Sequence, residues 1–160
     1  MTLMGYSKTF SITGWRLGYA VAPESLCSAI TLATDLLYVC APTPLQHGVA
    51  KGMGSGKEYY EGLCKEFQVK RDRFCNALDK ARLNPIVPQG SYYVLADISA
   101  FGLPDSRAAA MNLLKKAKVA SIPGRAFYQS PVGEKLIRFC FSVEDEVLDE
   151  ACRRIVKYAI

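Results

Sequence analysis

The feature that most constrains the fold is a long helical pattern at residues 57–82. Apolar side chains recur there at spacings of three, four and seven, and charged residues fill the other face. The apolar positions are Tyr60, Leu63, Cys64, Phe67, Phe74, Cys75 and Leu78. A strand and a helix near the C-terminus have apolar faces that can cover this stripe, so the distal part of the chain is expected to build its own core.

The segments after this helix alternate between strand and helix patterns. The predicted elements are a strand at 91–98, a helix at 105–118, a short strand at 119–122, a strand at 136–141 and a helix that begins near Asp145. Asp105 is placed to cap the second helix, and Ser142 and Asp145 have capping-box spacing at the last one. This order predicts an α/β unit, a small sheet covered by helices.

The part before residue 57 has a different pattern. A short apolar strand at 17–22 reads as buried on both faces, and helices are predicted at 24–38 and from Thr43 to Met53. Glycines and Ser55 then interrupt the chain at 52–56. We therefore expect two domains, at residues 1–56 and 57–160.

Composition excludes several classes of protein. Half of the 160 residues are hydrophobic, which excludes a disordered chain, and no apolar run is long enough to span a membrane. No secretory signal is visible at the start, so a cytoplasmic location is expected. The net charge is +5, but its densest clusters, at 70–73 and 115–118, read as solvated helix faces. No nucleic-acid partner is expected.

The cysteines do not suggest a metal site. None of the six lies in a Cys-x-x-Cys pair, and the only histidine is His47. All six fall inside apolar helical or strand patterns. They are expected to be buried free thiols in a reducing compartment, and no metal is predicted.

The first eighteen residues carry the groups best suited to chemistry. Glycines and short side chains surround Lys8 and Arg16, so backbone N–H groups could approach an anion and the arginine could grip a phosphate. A lysine desolvated by Tyr6, Phe10 and Trp15 would suit Schiff-base chemistry. The residues alone favour a plain polar loop, with Lys8 solvated and Arg16 paired to a carboxylate.

The stretch from Gly5 to Gly18 resembles the cofactor-lysine signature of class I and II, fold-type I aminotransferases. That signature has a small residue, an aromatic, Ser and Lys, then Arg eight residues later; the run Thr-Gly-Trp-Arg-Leu-Gly-Tyr is typical of the aspartate, aromatic and kynurenine group. The resemblance implies that Lys8 forms a Schiff base with pyridoxal 5'-phosphate and moves the substrate proton. It implies that Arg16 and Ser7 help to bind this cofactor.

Three later segments are similar to further motifs of the same family. They are Pro88–Leu95, Ser121–Tyr128 and Leu136–Phe141. In the last, Arg138 is a single cation in an apolar strand, which must be paired or functional. The residues alone favour a structural ion pair, whereas the resemblance implies that Arg138 binds the substrate carboxylate.

Four aromatic residues in the first two of these segments bear on specificity. Tyr92, Tyr93, Phe127 and Tyr128 could favour aromatic substrates, although aromatics in a strand and a loop are more often plain core. The sequence does not choose a particular amino acid or keto acid.

The resemblance covers only the final part of such enzymes. It implies the C-terminal part of the fold-type I fold: residues 1–56 would be a remnant of the large cofactor domain, and 57–160 the small domain with a long linking helix. The expected activity is amino transfer between an amino acid and a 2-keto acid, in a homodimer when the enzyme is complete. The 160 residues alone are expected to be inactive. Alternatives are another fold-type I reaction, a carbon–sulfur lyase or cyclopropane-forming synthase, or a truncated, non-catalytic chain.

Overall fold

The computed structural model describes residues 1–159, with side chains through Tyr158. The chain forms two compact units, an N-terminal unit from Met1 to Tyr60 and a C-terminal unit that starts at Glu61. The elements are β1 (Thr2–Gly5), β2 (Gly18–Val21), α1 (Glu24–Tyr38), α2 (Thr43–Met53), α3 (Lys57–Lys80), β3 (Pro85–Ile86), β4 (Tyr93–Asp97), α4 (Ser106–Lys116), β5 (Ile122–Pro123), β6 (Leu136–Cys140) and α5 (Asp145–Ala159). None of the described helices has the length and apolar character that a transmembrane segment needs.

The N-terminal unit contains a two-stranded antiparallel ribbon and two helices. Strand β1 pairs with β2, with Thr2 opposite Val21 and Gly5 opposite Gly18. The sequence analysis missed β1, because a four-residue segment has too short a pattern to identify. The sequence pattern of the second strand is typical of burial on both faces inside a larger sheet; among the described residues β2 pairs with β1 alone, and most of it is exposed.

The C-terminal unit is a four-stranded antiparallel sheet in the order β3-β4-β6-β5. Alternate residues of β4 and β6 face the helices: Val94 and Ala96 from one strand, Ile137 and Phe139 from the other. They share a core with Phe74, Cys75, Leu78, Ala109, Leu113, Leu148 and Ile155 of the helices. The fold is therefore mixed α and β, a small sheet covered by helices, as the sequence predicted.

Pairing at the edge of this sheet begins later than the sequence suggested. A strand was predicted at 119–122, but β5 contains only Ile122 and Pro123, opposite Arg138 and Ile137. The chain reverses at Lys118, whose φ is 57°, and Val119 then turns into the core rather than joining the ladder. Capping of α4 agrees with prediction, because the Asp105 carboxylate accepts the Ala108 N–H at 2.7 Å.

One expectation about a charged residue was wrong. Lys70 belongs to a cluster expected to be solvated, yet it is only 8% exposed. Its ammonium donates to the Val143 carbonyl at 3.0 Å and pairs with Glu66 at 2.9 Å. The hydrogen bond to Glu66 raises the pKa of Lys70 above its ordinary value, against the opposing effect of burial. A lysine can thus lie inside the unit when its charge has partners.

The cysteines are free, but they are not all buried. Cys75 is buried, and burial raises the pKa of its thiol. Three others are exposed, namely Cys40, Cys64 and Cys140. Cys40 lies in the N-terminal unit, Cys64 lies in the part of α3 before its buried residues, and Cys140 is the last residue of β6.

Candidate functional site

The Lys8 loop connects β1 to a single 3₁₀ turn at Thr13–Trp15. Backbone hydrogen bonds close the loop, from the Phe10 N–H to the Tyr6 carbonyl at 3.2 Å and from the Ile12 N–H to the Ser7 carbonyl at 3.0 Å. Lys8 lies between these two contacts and its side chain is exposed. The loop therefore presents a primary amine from a backbone with fixed geometry.

Thr13 brings the predicted cofactor residues of the N-terminal unit together. The Lys8 ammonium donates to the Thr13 hydroxyl at 3.3 Å, and that hydroxyl donates to the Ser7 carbonyl at 3.4 Å. The Arg16 guanidinium donates to the Thr13 carbonyl at 2.8 Å. An amine, a guanidinium and the carbonyl of Ser7 thus meet at Thr13. The sequence analysis quoted Thr13 within a motif but assigned it no role.

Arg16 reaches Thr13 because its backbone is left-handed, with φ of 57° and ψ of 41°. A non-glycine residue in this region costs free energy, of order 1 kcal/mol, and such strain is often found at functional sites. The preceding 3₁₀ turn ends at Arg16, so the unusual dihedral angles fold the side chain back over that turn. This is how the guanidinium comes to lie beside the lysine loop.

Aromatic side chains pack next to the loop without enclosing the lysine. The rings of Tyr6 and Phe10 lie 6.2 Å apart, and the rings of Phe10 and Tyr59 lie 6.0 Å apart. Trp15 packs elsewhere: a Cβ on Gly48 would meet its ring at 2.9 Å. Lys8 is exposed, which agrees with the solvated lysine that the residues alone allow. The aromatic contacts support the loop backbone.

Arg138 lies in the C-terminal unit, on the sheet face opposite the core. It lines an open cavity of about 530 Å³. The other residues of this cavity are Ile86, Pro88, Tyr93, Leu95, Phe127 and Tyr128. Apart from Ile86, they come from the first two of the later family-like segments, and Arg138 comes from the third, so the three segments converge on this cavity.

The guanidinium of Arg138 is held between two aromatic rings. Its Cζ lies 4.0 Å from the centre of the Tyr93 ring and 4.3 Å from that of Phe127. Its Nε is buried and has no hydrogen-bond partner. No carboxylate of the described residues forms an ion pair with it. The structural ion pair favoured by the residues alone is therefore absent here, and a buried donor is left to be satisfied.

The aromatic residues of the cavity are not plain core. Phe127 is 47% exposed and Tyr128 is 38% exposed, whereas Tyr92 packs against the core, with its ring tilted against that of Tyr93 at a centroid distance of 4.3 Å. A hydrogen bond with Tyr93 raises the pKa of Tyr92 to about 12. The cavity thus has one charged group in an apolar, aromatic wall.

Gly124 allows the loop that carries Phe127 to lie close to the sheet. A Cβ at this position would meet the Gly133 carbonyl oxygen at 2.5 Å and the Leu136 carbonyl oxygen at 2.6 Å. Both are backbone atoms, which cannot rotate away as a flexible side chain could. The Pro-Gly sequence at 123–124 is therefore a packing requirement.

Comparison with known proteins agrees with these motifs. The family described as aminotransferase class I and II matches residues 1–155. The chain belongs to this family. Kynurenine–oxoglutarate transaminase 3 of Rattus norvegicus is 37% identical over 94% of the chain, which corresponds to 37% of that relative. The chain therefore spans well under half the length of such relatives.

Solved structures of other aminotransferases share the fold. An aromatic aminotransferase from Pyrococcus horikoshii OT3 has a TM-score of 0.89 and 31% identity, covering 98% of this chain and 42% of that one. N-Succinyldiaminopimelate aminotransferase from Mycobacterium tuberculosis has a TM-score of 0.90 and 30% identity, covering 98% of this chain and 41% of that one. The fold is thus that of a part of an aminotransferase.

Aminotransferases of this class generally depend on pyridoxal 5'-phosphate, and the donor set of the N-terminal unit fits that cofactor. Its aldehyde requires a primary amine, and its phosphate requires cationic and N–H or O–H donors. Lys8 provides an exposed amine, and Arg16 provides a guanidinium tied to the same threonine. The chain therefore has the two kinds of group that the cofactor needs.

Proposed function

We propose that this protein, in its complete form, transfers an amino group between an amino acid and a 2-keto acid with pyridoxal 5'-phosphate as cofactor. The observation that carries the proposal is the meeting of Lys8 and Arg16 at Thr13 in a chain of the aminotransferase family. Lys8, Arg16 and Ser7 hold the cofactor in this proposal. When bound, the cofactor supplies an electron sink for the substrate Cα.

Lys8 has the proton-transfer role. Its amine is the only nitrogen of the lysine loop that can accept and return a proton, because the backbone nitrogens there are amides. Thr13 holds this amine by a hydrogen bond of 3.3 Å, which orients it without burying it. Lys8 would therefore be the group that accepts the proton from the substrate Cα and holds it for return, with the cofactor supplying the electron sink when bound.

Arg138 has the substrate-binding role. A carboxylate is the natural acceptor for a buried guanidinium Nε that has no partner, and such charge-assisted hydrogen bonds are strong. The Tyr93 and Phe127 rings cover the two faces of the guanidinium and leave its edge for the ligand. Arg138 thus orients an amino acid by its α-carboxylate.

The walls of the cavity favour apolar or aromatic substrates. Apart from Arg138, its lining is aliphatic, aromatic or proline. Its relatives include an aromatic-amino-acid aminotransferase of Thermococcus litoralis and a methionine aminotransferase of Escherichia coli, whose names indicate substrates of that kind. Among the described residues that line the cavity, Arg138 is the one cation.

The remaining parts of the proposal concern the complete enzyme. Residues 1–56 belong to its cofactor domain and residues 57–160 form its small domain; the exposed β1–β2 ribbon supports this, because a larger sheet would cover it. The enzyme is a homodimer in the cytoplasm. The chain has six cysteines, an even number that could pair as disulfides, yet all six are free. Free cysteines support a reducing compartment.

The experiment measures new amino acid formed by the complete protein from phenylalanine and a keto-acid acceptor. We expect turnover that Lys8→Ala abolishes and that Lys115→Ala, an exposed lysine of α4, leaves unchanged. Borohydride reduction and peptide mapping should find the pyridoxyl group on Lys8. A label on another lysine would contradict the assignment.

The same assay separates the alternatives. A carbon–sulfur lyase or cyclopropane-forming synthase would consume its substrate without converting the keto-acid acceptor into its amino acid, and a non-catalytic protein would do neither. The relatives are named as a transaminase and an aminotransferase, and these names favour transamination. The 160-residue chain alone should not exceed a blank of free pyridoxal phosphate, because the chain covers only 37% of its relative.

A further inference from the structure

Phe127 is poorly held by packing, although it contacts the most important residue of the cavity. Its ring lies 4.3 Å from the Arg138 guanidinium, yet the residue is 47% exposed. An exposed side chain keeps much of its rotamer freedom unless its backbone is fixed. What holds the backbone of residues 124–128 therefore determines whether the ring stays over the guanidinium.

A polar network fixes that backbone. Ser106 is fully buried at the start of α4, and its hydroxyl lies 3.2 Å from Glu134 Oε2 and 3.4 Å from the Arg125 N–H. The other Glu134 oxygen pairs with the Arg125 guanidinium at 3.0 Å. A single carboxylate thus contacts both the hydroxyl and the cation, and the hydroxyl also holds the loop backbone.

This network joins the same two segments as the stacking contact. Arg125 lies two residues before Phe127 in the loop, and Glu134 lies four residues before Arg138, just ahead of β6. The Arg125–Glu134 ion pair and the Phe127–Arg138 contact are therefore two connections between one loop and one strand. The Arg125–Glu134 ion pair is partly buried and anchored to α4 through Ser106. It can therefore constrain the Phe127–Arg138 contact.

We propose that Glu134, Arg125 and Ser106 are positioning residues that hold the Phe127 ring against Arg138, so that the guanidinium edge faces the cavity. None of the three lines the cavity, and they act through Phe127. With Tyr93 and Phe127 on its two faces, the guanidinium can meet a ligand only along its edge, where a carboxylate accepts in-plane hydrogen bonds. The consequence for carboxylate binding rests on the proposed function of Arg138.

The first measurement requires no ligand. The Arg138 Nε–H proton lies close to two aromatic rings and should resonate upfield of exposed arginines in the NMR spectrum of the 160-residue chain. We expect Glu134→Gln to move this resonance downfield, because the Phe127 ring then leaves the guanidinium. Glu150→Gln is the matched control, since Glu150 pairs with Arg153 and Arg154 on α5. It should leave the resonance unchanged.

The second measurement is the affinity for phenylpropanoate, an apolar carboxylate, with its uncharged amide as the ligand control. We expect Glu134→Gln and Arg125→Gln each to raise the Kd by about three- to fivefold, the size of a cation–π contact at a partly exposed site. Phe127→Leu should raise the Kd by a similar factor. In the Phe127→Leu background, Glu134→Gln should have no further effect, because its action passes through the ring.

Three results would overturn the proposal. The first is an unmoved Arg138 resonance in a folded Glu134→Gln chain. The second is the same movement in Glu150→Gln, which would indicate a general effect of lost charge. The third is an additive loss of affinity in the double variant. Failure of the wild-type chain to bind phenylpropanoate, together with a moved resonance, would support the positioning network and contradict the carboxylate role of Arg138.

Discussion

The two units differ in how they use their apolar residues. In the part of the chain that the structure describes, only Leu17 and Val49 of the N-terminal unit are buried apolar residues, and all the others belong to the C-terminal unit. Helix α1 has no buried residue, and Leu36 and Leu37 on it are each 81% exposed. The C-terminal unit instead packs its sheet against three helices around one core.

This difference separates formation of an element from its stabilisation. Helix α1 has the length and pattern of an ordinary helix, but burial of apolar surface is what supplies most of the stability of a helix in a protein. Each fully buried leucine or phenylalanine contributes about 1.5–3 kcal/mol relative to an exposed one. The C-terminal unit has many such residues and the N-terminal unit almost none, so their stabilities should differ widely.

The largest expected effect is in amide hydrogen exchange of the 160-residue chain. The amides that pair β4 with β6 should exchange more slowly than those that pair β1 with β2, by a factor on the order of 1000 or more. The reason is that opening the first ladder disrupts the core, while the second is exposed and short. Exchange measured by NMR checks this ratio. Equal protection in the two ladders would show that the N-terminal unit has a core of its own.

The same contrast explains how much of the fold the sequence predicted. The C-terminal elements have strong periodic patterns because one face of each meets the core; α4, β6 and α5 agree with expectation within a few residues. Strand β1 was missed, because its four residues are too few to show a periodic pattern. Burial of Lys70 was missed because its partners, Glu66 and the Val143 carbonyl, are evident only in three dimensions.

The sequence pointed to the candidate site residues that belong to recognisable motifs. It did not point to the residues that are singled out only by their contacts in three dimensions. Lys8, Arg16 and Arg138 were identified from their motifs. Thr13 was not assigned a role, because its function depends on two hydrogen bonds that no spacing reveals. Glu134 and Ser106 are 28 residues apart in sequence, and nothing in their local patterns indicates that they meet.

The next effect compares two leucines in helices of the two units. Leu148→Ala in α5 removes a side chain that is 1% exposed, so we expect it to destabilise the C-terminal unit by about 2–5 kcal/mol. Leu37→Ala in α1 truncates a side chain that is 81% exposed, so stability should change by less than about 0.5 kcal/mol. Urea unfolding followed by circular dichroism measures both. A comparable loss for Leu37→Ala would show that the surface of α1 is covered in solution, for example by self-association.

The smallest effect concerns pH. Hydrogen bonds from the Ser99 hydroxyl and the Ser99 backbone N–H hold the pKa of Asp97 below its ordinary value. The backbone nitrogen lies 2.7 Å from the Asp97 carboxylate. Because the folded pKa lies below the unfolded one, this stabilisation is present above the unfolded pKa and is lost as pH falls through the folded pKa. Asp97→Asn should therefore cost about 1 kcal/mol at neutral pH and reduce the acid sensitivity of the C-terminal unit.

A matched variant and a local probe test whether the effect of Asp97→Asn on stability is confined to the C-terminal unit. Asp35→Asn changes an exposed carboxylate on α1 and should not alter the acid limb of the C-terminal unit. Trp15, the single tryptophan of the chain, lies in the N-terminal unit, so its fluorescence reports that unit alone. In Asp97→Asn the unfolding transition followed by Trp15 fluorescence should match that of the wild type at every pH. The unfolding midpoint followed by circular dichroism should be lower than that of the wild type at neutral pH, and it should depend less on pH. If the fluorescence transition moved with the midpoint, the two units would unfold together, and the contrast in burial would not produce a contrast in stability.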